Sequence, residues 1–156
     1  MPEAMLDTGV WFAYYVKHDI FHREANAIVD DLLLRKKKIL VSEAGRFELM
    51  NVLTHELLNH EQVRQIGEKF RNMSPYTEIR FGGIRFWDEV LLGNFSRLFL
   101  KTMDFIIASC ALHWEVDEFY SFDEKLNQAL RRIRPEIVKI KIKKGRVLIE
   151  PATRKN

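Results

Sequence analysis

The amino-acid sequence predicts an α/β protein whose central, mainly parallel β-sheet is covered by helices on both faces. Short apolar segments alternate along the chain with longer segments whose apolar residues recur at helical spacing, which is typical of βαβ units and parallel sheets. Residues 39–41, Ile-Leu-Val, are apolar without interruption, as in a strand that is buried on both faces. In addition, apolar and basic residues alternate over residues 137–143, which predicts a C-terminal β-hairpin with a polar outer face.

The first half of the chain alternates between predicted strands and helices. A short strand ends near Asp7, and Thr8 and Gly9 favour a turn into the helix that follows. Ser42 comes directly after the apolar strand and is a favoured helix N-cap residue. The predicted elements are a strand ending near residue 7, a helix after residue 9, a helix over residues 22–35, a strand over residues 39–41 and a helix over residues 43–59.

The second half continues this alternation. Pro75 and Pro135 each end a predicted helix, because proline cannot continue one. Gly82 and Gly83 interrupt the pattern after a short strand. The predicted elements are a helix over residues 61–73, a strand over 77–81, a helical segment over 84–99, a helix over 101–114, a strand over 119–121, a helix over 124–133, and a hairpin of residues 137–143 and 146–149 that turns at residues 144–145.

Length and composition indicate one compact domain. The chain has 156 residues, of which 47% are hydrophobic and 30% are charged, so it can supply a sizeable core. No apolar run approaches the roughly 18 residues of a membrane span, and the N-terminal residues lack the basic and apolar regions of a signal peptide. We therefore expect a cytoplasmic protein with no membrane partner. The single cysteine, Cys110, excludes an internal disulfide and a cysteine-based zinc site.

The net charge of +3 conceals an asymmetry between the two ends of the chain. Residues 131–156 contain ten Lys or Arg and two Glu, a balance of +8, so the other 130 residues sum to −5. A basic tail on an acidic body suggests that a polyanion binds near one edge of the protein. Alternatively, lysines on an exposed hairpin discourage aggregation through its edges, and the sequence leaves both explanations open.

Three aspartates are predicted to lie at one edge of the sheet. Asp7 ends the first strand, Asp123 follows a later strand, and Asp104 opens a helix. In parallel α/β sheets ligands bind beyond the carboxyl ends of the strands, where the following helices also begin. Each aspartate alone could simply stabilise a helix N-terminus, where free N–H groups favour negative charge. Three of them at one rim favour a binding or catalytic site instead.

Glu48 is the fourth candidate acid. It lies one to two turns into its helix and is bordered by leucines, where a carboxylate is costly unless it is paired, hydrogen-bonded or coordinated. Four convergent carboxylates call for a divalent cation, and Mg²⁺ and Mn²⁺ prefer such oxygen ligands. A metal held in this way suits phosphodiester hydrolysis. We therefore expect Asp7, Glu48, Asp104 and Asp123 to be catalytic residues and ligands of Mg²⁺ or Mn²⁺.

Three polar residues near these acids are candidate supporting residues. Thr8 adjoins Asp7, Ser121 lies two residues before Asp123, and Asn51 lies one turn from Glu48. Each could orient a water or a carboxylate, although hydroxyls at strand ends and turns more often bond the backbone.

The four acidic segments resemble the motifs of PIN domains. They are DTGVWFA at residues 7–13, ELMNVL at 48–53, MDFIIASCA at 103–111 and YSFDEKL at 120–126, and the closest group is the VapC-like stand-alone PIN ribonucleases. The resemblance covers about residues 4–130. It implies a three-layer PIN-like fold and assigns the four acids to one or two Mg²⁺ or Mn²⁺ ions. We divide the chain into a PIN-like nuclease domain, residues 1–134, and a basic hairpin extension, residues 135–156, packed on the same domain.

The same resemblance implies a function. PIN ribonucleases cut single-stranded or structured RNA, many are toxins paired with a small antitoxin protein, others process RNA, and homodimers are common. We therefore expect a metal-dependent endoribonuclease with RNA as its partner. The alternatives are a non-catalytic PIN-like domain that binds RNA or protein, and a phosphatase of the haloacid dehalogenase type. The phosphatase is disfavoured because its second aspartate would stand where this chain has Gly9.

The segment before Asp104 is unusually aromatic for this family. Its rings could stack on RNA bases, but helical spacing favours packing in the core or at a dimer interface. The aromatic residues concerned are Phe81, Phe86, Trp87, Phe95 and Phe99.

Overall fold

Four short parallel strands form the centre of the protein. The structure, a computed structural model, describes residues 3–56, 59–72, 76–83, 85–143 and 145–150. Within these residues the strands β1 (Glu3–Leu6), β2 (Lys38–Ser42), β3 (Thr77–Arg80) and β4 (Glu118–Tyr120) are ordered β3-β2-β1-β4. Every neighbouring pair in this sheet is parallel, which confirms the predicted fold class.

Helices cover both faces of the sheet. Side chains alternate across a strand, so Ala4 and Leu6 of β1 pack into one apolar cluster and Met5 packs into the other. The first cluster includes residues of the first three helices, and the second includes residues of the last three. The helices are α1 (Thr8–Tyr15), α2 (His22–Leu34), α3 (Glu43–His55), α4 (His60–Asn72), α5 (Leu92–Leu98), α6 (Thr102–His113) and α7 (Glu124–Arg131).

Several element limits differ from the sequence-based prediction. Helix α3 ends at His55 with Glu56 as its C-cap, four residues before the predicted end, and residues 57–58 lie outside the described residues. The predicted helix stop at Pro75 also lies outside them. The segment before Asp104 is helical, as predicted, but its first part, Phe86–Leu91, is a π-helix that continues into α5.

The C-terminal segment forms the predicted hairpin, although it begins later. Strands β5 (Ile140–Lys143) and β6 (Arg146–Ile149) pair antiparallel, whereas Pro135–Ile137 forms a 3-10 turn. Ile137 and Val138 are consecutive apolar residues that are both buried in the core. Val138 pairs in parallel with Phe119 of β4 and not with the other hairpin strand. The prediction of a strand from residue 137 was therefore wrong over its first three residues.

The polar outer face predicted for the hairpin also begins later. Lys139 is buried, with 3% of its surface exposed, and its ammonium group donates to the carbonyl oxygen of Glu136 at 2.7 Å. Its backbone N–H donates to the carbonyl of Phe119. Lys139 is thus part of the connection to the main sheet, and Lys141 is the first exposed lysine of the hairpin. Among the described residues, no helix is long and apolar enough to cross a bilayer.

Candidate functional site

Asp7 lies at the junction of two strands and a helix. It follows β1, its backbone N–H donates to the carbonyl oxygen of Tyr120 at the end of β4, and it is the N-cap residue of α1. Its Oδ1 accepts the Thr8 N–H at 2.7 Å, and its Oδ2 accepts the Ser121 hydroxyl at 2.8 Å. Only 6% of Asp7 is exposed. Both carboxylate oxygens are therefore held by hydrogen bonds at the carboxyl edge of the sheet.

The surroundings of Asp7 disfavour its negative charge. Burial raises the pKa of its carboxyl group to about 7, from an ordinary value of 3.8. The hydrogen bonds from Ser121 and Thr8 lower this pKa in part, while the nearby negative charges of Glu48 and Asp104 raise it further. Asp7 is thus a buried carboxyl group beside other acids, in the kind of environment that is common at functional sites.

Glu48 reaches the same edge from α3. Ser42 caps this helix by accepting the Gly45 N–H at 3.0 Å, as its position before the helix predicted. The Thr8 hydroxyl donates to Glu48 Oε2 at 2.5 Å. Thr8 therefore contacts two of the candidate acids, Asp7 through its N–H and Glu48 through its hydroxyl.

Asp104 and Asp123 lie on the first turns of α6 and α7. Asp104 is half-buried and does not cap its helix, because Lys101 occupies the N-cap position. Burial raises the pKa of Asp104, as do the negative charges of Asp123 and Glu48, while Lys101 opposes this rise. Asp123 is the N-cap of α7, and its Oδ1 accepts two backbone N–H groups of that helix at 2.7 and 3.1 Å.

Ser121 joins two of the acids. Its hydroxyl donates to Asp7 and accepts the Asp123 N–H at 2.9 Å, and the Ser121 side chain is fully buried. The buried Asn127 side chain donates to the Ser121 carbonyl at 2.8 Å. The prediction from sequence missed Asn127, and the available signal was a polar residue one turn after Asp123 in a helix whose neighbouring Leu126 and Leu130 are apolar.

Asn51 is placed differently from the other candidate supporting residues. It is exposed on α3, and in the described part of the chain it forms no hydrogen bond with any of the four acids. Thr8 and Ser121, in contrast, both bond candidate acids. A supporting role for Asn51 remains a prediction.

The donor chemistry of these acids suits a hard divalent cation. All four contribute carboxylate oxygens, and their charges interact from Asp7 to Glu48 and Asp104, and from Asp104 to Asp123, so a cation among them would relieve their repulsion. However, over residues 3–56, 59–72, 76–83, 85–143 and 145–150 no three His, Cys, Asp or Glu side chains are grouped closely enough to form a ligand set. Convergence of all four acids on one cation remains a prediction.

A groove of about 670 Å³ opens beside Asp104 and Asp123. The lining residues are residues 98–101, which comprise the last residue of α5 and its connection to α6, and residues at the start and along α7. Lys101, Lys125 and Arg132 bring positive charge to this groove. The prediction from sequence did not single out these three residues, since lysines and arginines are frequent on the surface and their grouping arises only when α6 and α7 are brought together.

Comparisons with known proteins agree with this architecture. The PIN domain family model matches residues 4–131, and no curated protein sequence matches the chain. The chain is similar to the crystal structure of Mycobacterium tuberculosis VapC20, described as a Sarcin-Ricin loop cleaving toxin, with 15% identity, a TM-score of 0.64, and coverage of 81% of this chain and 94% of that one.

Two further crystal structures are similar. One is VapBC2 from Rickettsia felis bound to a DNA fragment from their promoter, with 18% identity, a TM-score of 0.63, and coverage of 87% of this chain and 96% of that one. The other is FitAcB from Neisseria gonorrhoeae, with 17% identity, a TM-score of 0.63, and coverage of 86% and 95%. At these identities the likeness concerns the fold.

Proposed function

This chain belongs to the PIN domain family, and from that premise we propose that it hydrolyses RNA phosphodiester bonds as a Mg²⁺- or Mn²⁺-dependent endoribonuclease. The observation that carries the proposal is Asp7, a carboxyl group with 6% exposure and a pKa of about 7 that lies within the electrostatic influence of Glu48 and Asp104. Clustered acids destabilise the folded state. A site that binds a cation for phosphodiester hydrolysis would explain why these acids are clustered.

The residues of the chain have separable roles in this proposal. Asp7, Glu48, Asp104 and Asp123 would hold the cation, which supplies positive charge to stabilise the carboxylates and polarise a water and the scissile phosphate. Ser121 and Thr8 orient the Asp7 carboxylate through hydrogen bonds to opposite oxygens. Because both donors belong to the ends of the central strands or the helix that follows, the geometry is held by the most buried part of the fold.

The test is cleavage of end-labelled RNA oligonucleotides by the purified protein and its variants. Asp7→Asn and Asp104→Asn should each abolish cleavage while circular dichroism shows an intact fold, since asparagine can also accept the N–H bond at the N-cap position of Asp7 and Asp104 does not cap its helix. EDTA should abolish cleavage by the wild type, and added Mg²⁺ or Mn²⁺ should restore it. Asp30→Asn, which changes an exposed aspartate of α2, is the matched control and should cleave normally. Full activity in both Asp7→Asn and Asp104→Asn contradicts the proposal.

RNA binding without cleavage is the competing function. It is favoured by one observation, namely that the described acids do not form a ready-made set of three metal ligands. Calorimetry distinguishes the two functions, because the nuclease binds Mn²⁺ and loses that binding in Asp7→Asn. RNA binding with no Mn²⁺ binding would favour the non-catalytic domain.

We also propose a cellular role as the toxin of a toxin–antitoxin pair, with RNA processing as the other role of such an enzyme. The similarity to a structure described as a toxin supports the first role. Its partners would then be RNA and a small antitoxin protein, and the protein would act in the cytoplasm as a homodimer. Co-expression with the product of an adjacent small reading frame should relieve growth inhibition by the wild type, whereas Asp7→Asn should be harmless without it. Sedimentation velocity of the purified chain tests the homodimer.

A further inference from the structure

Phe99 projects into solvent beside the groove that leads to Asp104 and Asp123. Its side chain is 84% exposed, although a phenylalanine is normally among the more buried residues. Its backbone has φ 48° and ψ 46° at the C-cap of α5, a left-handed conformation that is uncommon for any residue other than glycine. Neither packing nor helix termination therefore accounts for a phenylalanine at this position.

Two other aromatic residues of this region whose side chains the structure describes are already engaged. Phe122 also lines the groove, but its ring stacks on that of Phe21, with centroids 4.6 Å apart and an angle of 22° between the planes. Phe86, in the aromatic segment, is 5% exposed and belongs to the core, as its helical spacing predicted. Phe99 thus presents the open ring at this groove in the part of the chain that the structure describes.

Three cations border the same groove. Lys125 of α7 and Arg132, the C-cap residue of that helix, lie seven positions apart and line the groove with Gln128. Lys101, the N-cap residue of α6, also lines it. Seven residues of helix span about 10 Å, so positive charge extends along α7 away from Asp123. In the described ranges these three side chains form no ion pair and no hydrogen bond, and all three are exposed.

We propose that this groove binds single-stranded RNA, with phosphates contacted by Lys101, Lys125 and Arg132 and one base stacked on Phe99. The inference deepens the proposed function, on which it rests, by naming the residues of this chain that contact a base and the phosphates of a single-stranded substrate. Cations for phosphates beside an open aromatic ring for a base are the combination that single-strand binding uses. The groove lining also contains three acids, Asp104, Asp123 and Glu124, so the positive charge is local to the three cations. A paired base is covered by its neighbours in the helix, whereas an unpaired base can lie on the Phe99 ring.

The experiment measures binding rather than cleavage. A fluorescein-labelled single-stranded RNA of mixed sequence is titrated with Asp7→Asn protein, and fluorescence anisotropy gives the dissociation constant. Replacing Phe99 with Ala in this background should weaken binding about 5- to 150-fold, the range for loss of one stacked base, and Phe99→Trp should preserve binding because indole also stacks. The matched control is Phe81→Ala, since Phe81 is another exposed phenylalanine, at 62%, outside the groove lining.

Two further comparisons complete the test. A duplex of the same sequence should bind more weakly and be insensitive to Phe99→Ala. Lys101→Ala, Lys125→Ala and Arg132→Ala should each reduce the slope of log Kd against log salt by about 0.7, the contribution of one phosphate contact to a single strand. Thermal melting should show each variant folded, as expected for exposed side chains.

The outcomes separate this inference from the proposed function. Equal binding by Phe99→Ala and its parent, an equal loss in Phe81→Ala, or an equal loss for the duplex overturns the groove assignment even if the wild type cleaves RNA. Conversely, Phe99-dependent binding of single strands by a wild type that does not cleave RNA supports the groove and overturns the nuclease.

Discussion

Replacing Asp7 with Asn should stabilise the metal-free protein at alkaline pH. In the folded state the Asp7 carboxyl keeps its proton up to a pKa of about 7, whereas in the unfolded chain it ionises near 3.8. Between these values the folded state binds more protons, so stability falls as the pH rises and the full cost is present above pH 7. At 1.36 kcal/mol per pH unit, the difference between 3.8 and about 7 amounts to about 4 kcal/mol.

The assay is urea unfolding followed by circular dichroism, in EDTA, at pH 4 and pH 8. The asparagine side chain cannot ionise, so the free energy of unfolding of Asp7→Asn relative to wild type should rise by about 4 kcal/mol from pH 4 to pH 8. The rise should shrink when Mg²⁺ is added, because a cation stabilises the ionised carboxylate of the wild type. Asp30→Asn is the control and should show no such rise.

A difference between Asp7→Asn and wild type that stays constant within about 1 kcal/mol from pH 4 to pH 8 would refute the reasoning. It would mean that burial and the neighbouring acids do not disfavour the Asp7 charge. A relative stability that falls with pH would reverse the sign, and would place a cation of the protein beside Asp7.

Three other predictions concern residues around the site and the sheet. Ser121→Ala removes the donor to Asp7 Oδ2, so it should destabilise the protein by about 1–3 kcal/mol in urea unfolding and raise the pKa of Asp7, shifting the pH profile of cleavage upward. Glu118→Gln should cost about 3 kcal/mol at pH 7, because Glu118 is 2% exposed and its carboxylate bonds both terminal nitrogens of Arg35 at 2.9 Å. Burial raises the pKa of Glu118, but the hydrogen bonds from Arg35, Tyr120 and Lys37 together outweigh it and hold the pKa at about 2. The cost should therefore be complete above pH 4.5 and decline as the pH falls towards 2. Ile137→Ala should cost about 2–5 kcal/mol, since Ile137 is fully buried, and unfolding should remain a single transition because we propose that the basic extension packs on the same domain.

Two of these variants have a matched control, and the third has an outcome that would contradict it. Leu148→Ala, in an exposed position of β6, should change stability by less than about 0.5 kcal/mol, and an equal cost from Leu148 and Ile137 would contradict the Ile137 reasoning. Glu136→Gln, on the exposed 3-10 turn, serves the same purpose for Glu118. An unchanged pH profile in Ser121→Ala would show that its hydroxyl does not control Asp7.

The sheet and helices were predictable because their apolar patterns are local. Residues 39–41 form a buried strand, and the alternation of strands with helices gives the parallel order that the structure contains. The start of the hairpin was predicted too early. Ile137 and Val138 are consecutive residues that are both buried in the core, and Val138 pairs with Phe119 of β4, so they do not follow the alternation of a hairpin strand. A local pattern of apolar residues does not determine which distant strand a short segment pairs with.

The residues of the candidate site could be predicted from the sequence, whereas the contacts between them could not. Capping a helix and lining a site were treated as competing explanations for an acid, but Asp7 and Asp123 cap helices and also contact Ser121. The contact between Ser121 and Asp7 depends on the register that places Leu6 opposite Tyr120, which the sequence does not specify. The groove depends on the left-handed backbone conformation at Phe99. The sequence has no glycine at this position that would have predicted such a conformation.

The position of β1 has a consequence for the order in which the chain is synthesised. β1 is central in the sheet, yet its partner β4 follows far later, and the Asp7–Ser121 bond spans 114 residues. At about 5–20 residues per second, a ribosome needs roughly 6–23 s to synthesise that interval. During this time one edge of β1 has no native partner and Asp7 lacks its Ser121 donor. A nascent chain therefore cannot assemble these acids early, and the arrangement of the candidate acids arises only after nearly the whole domain has been translated.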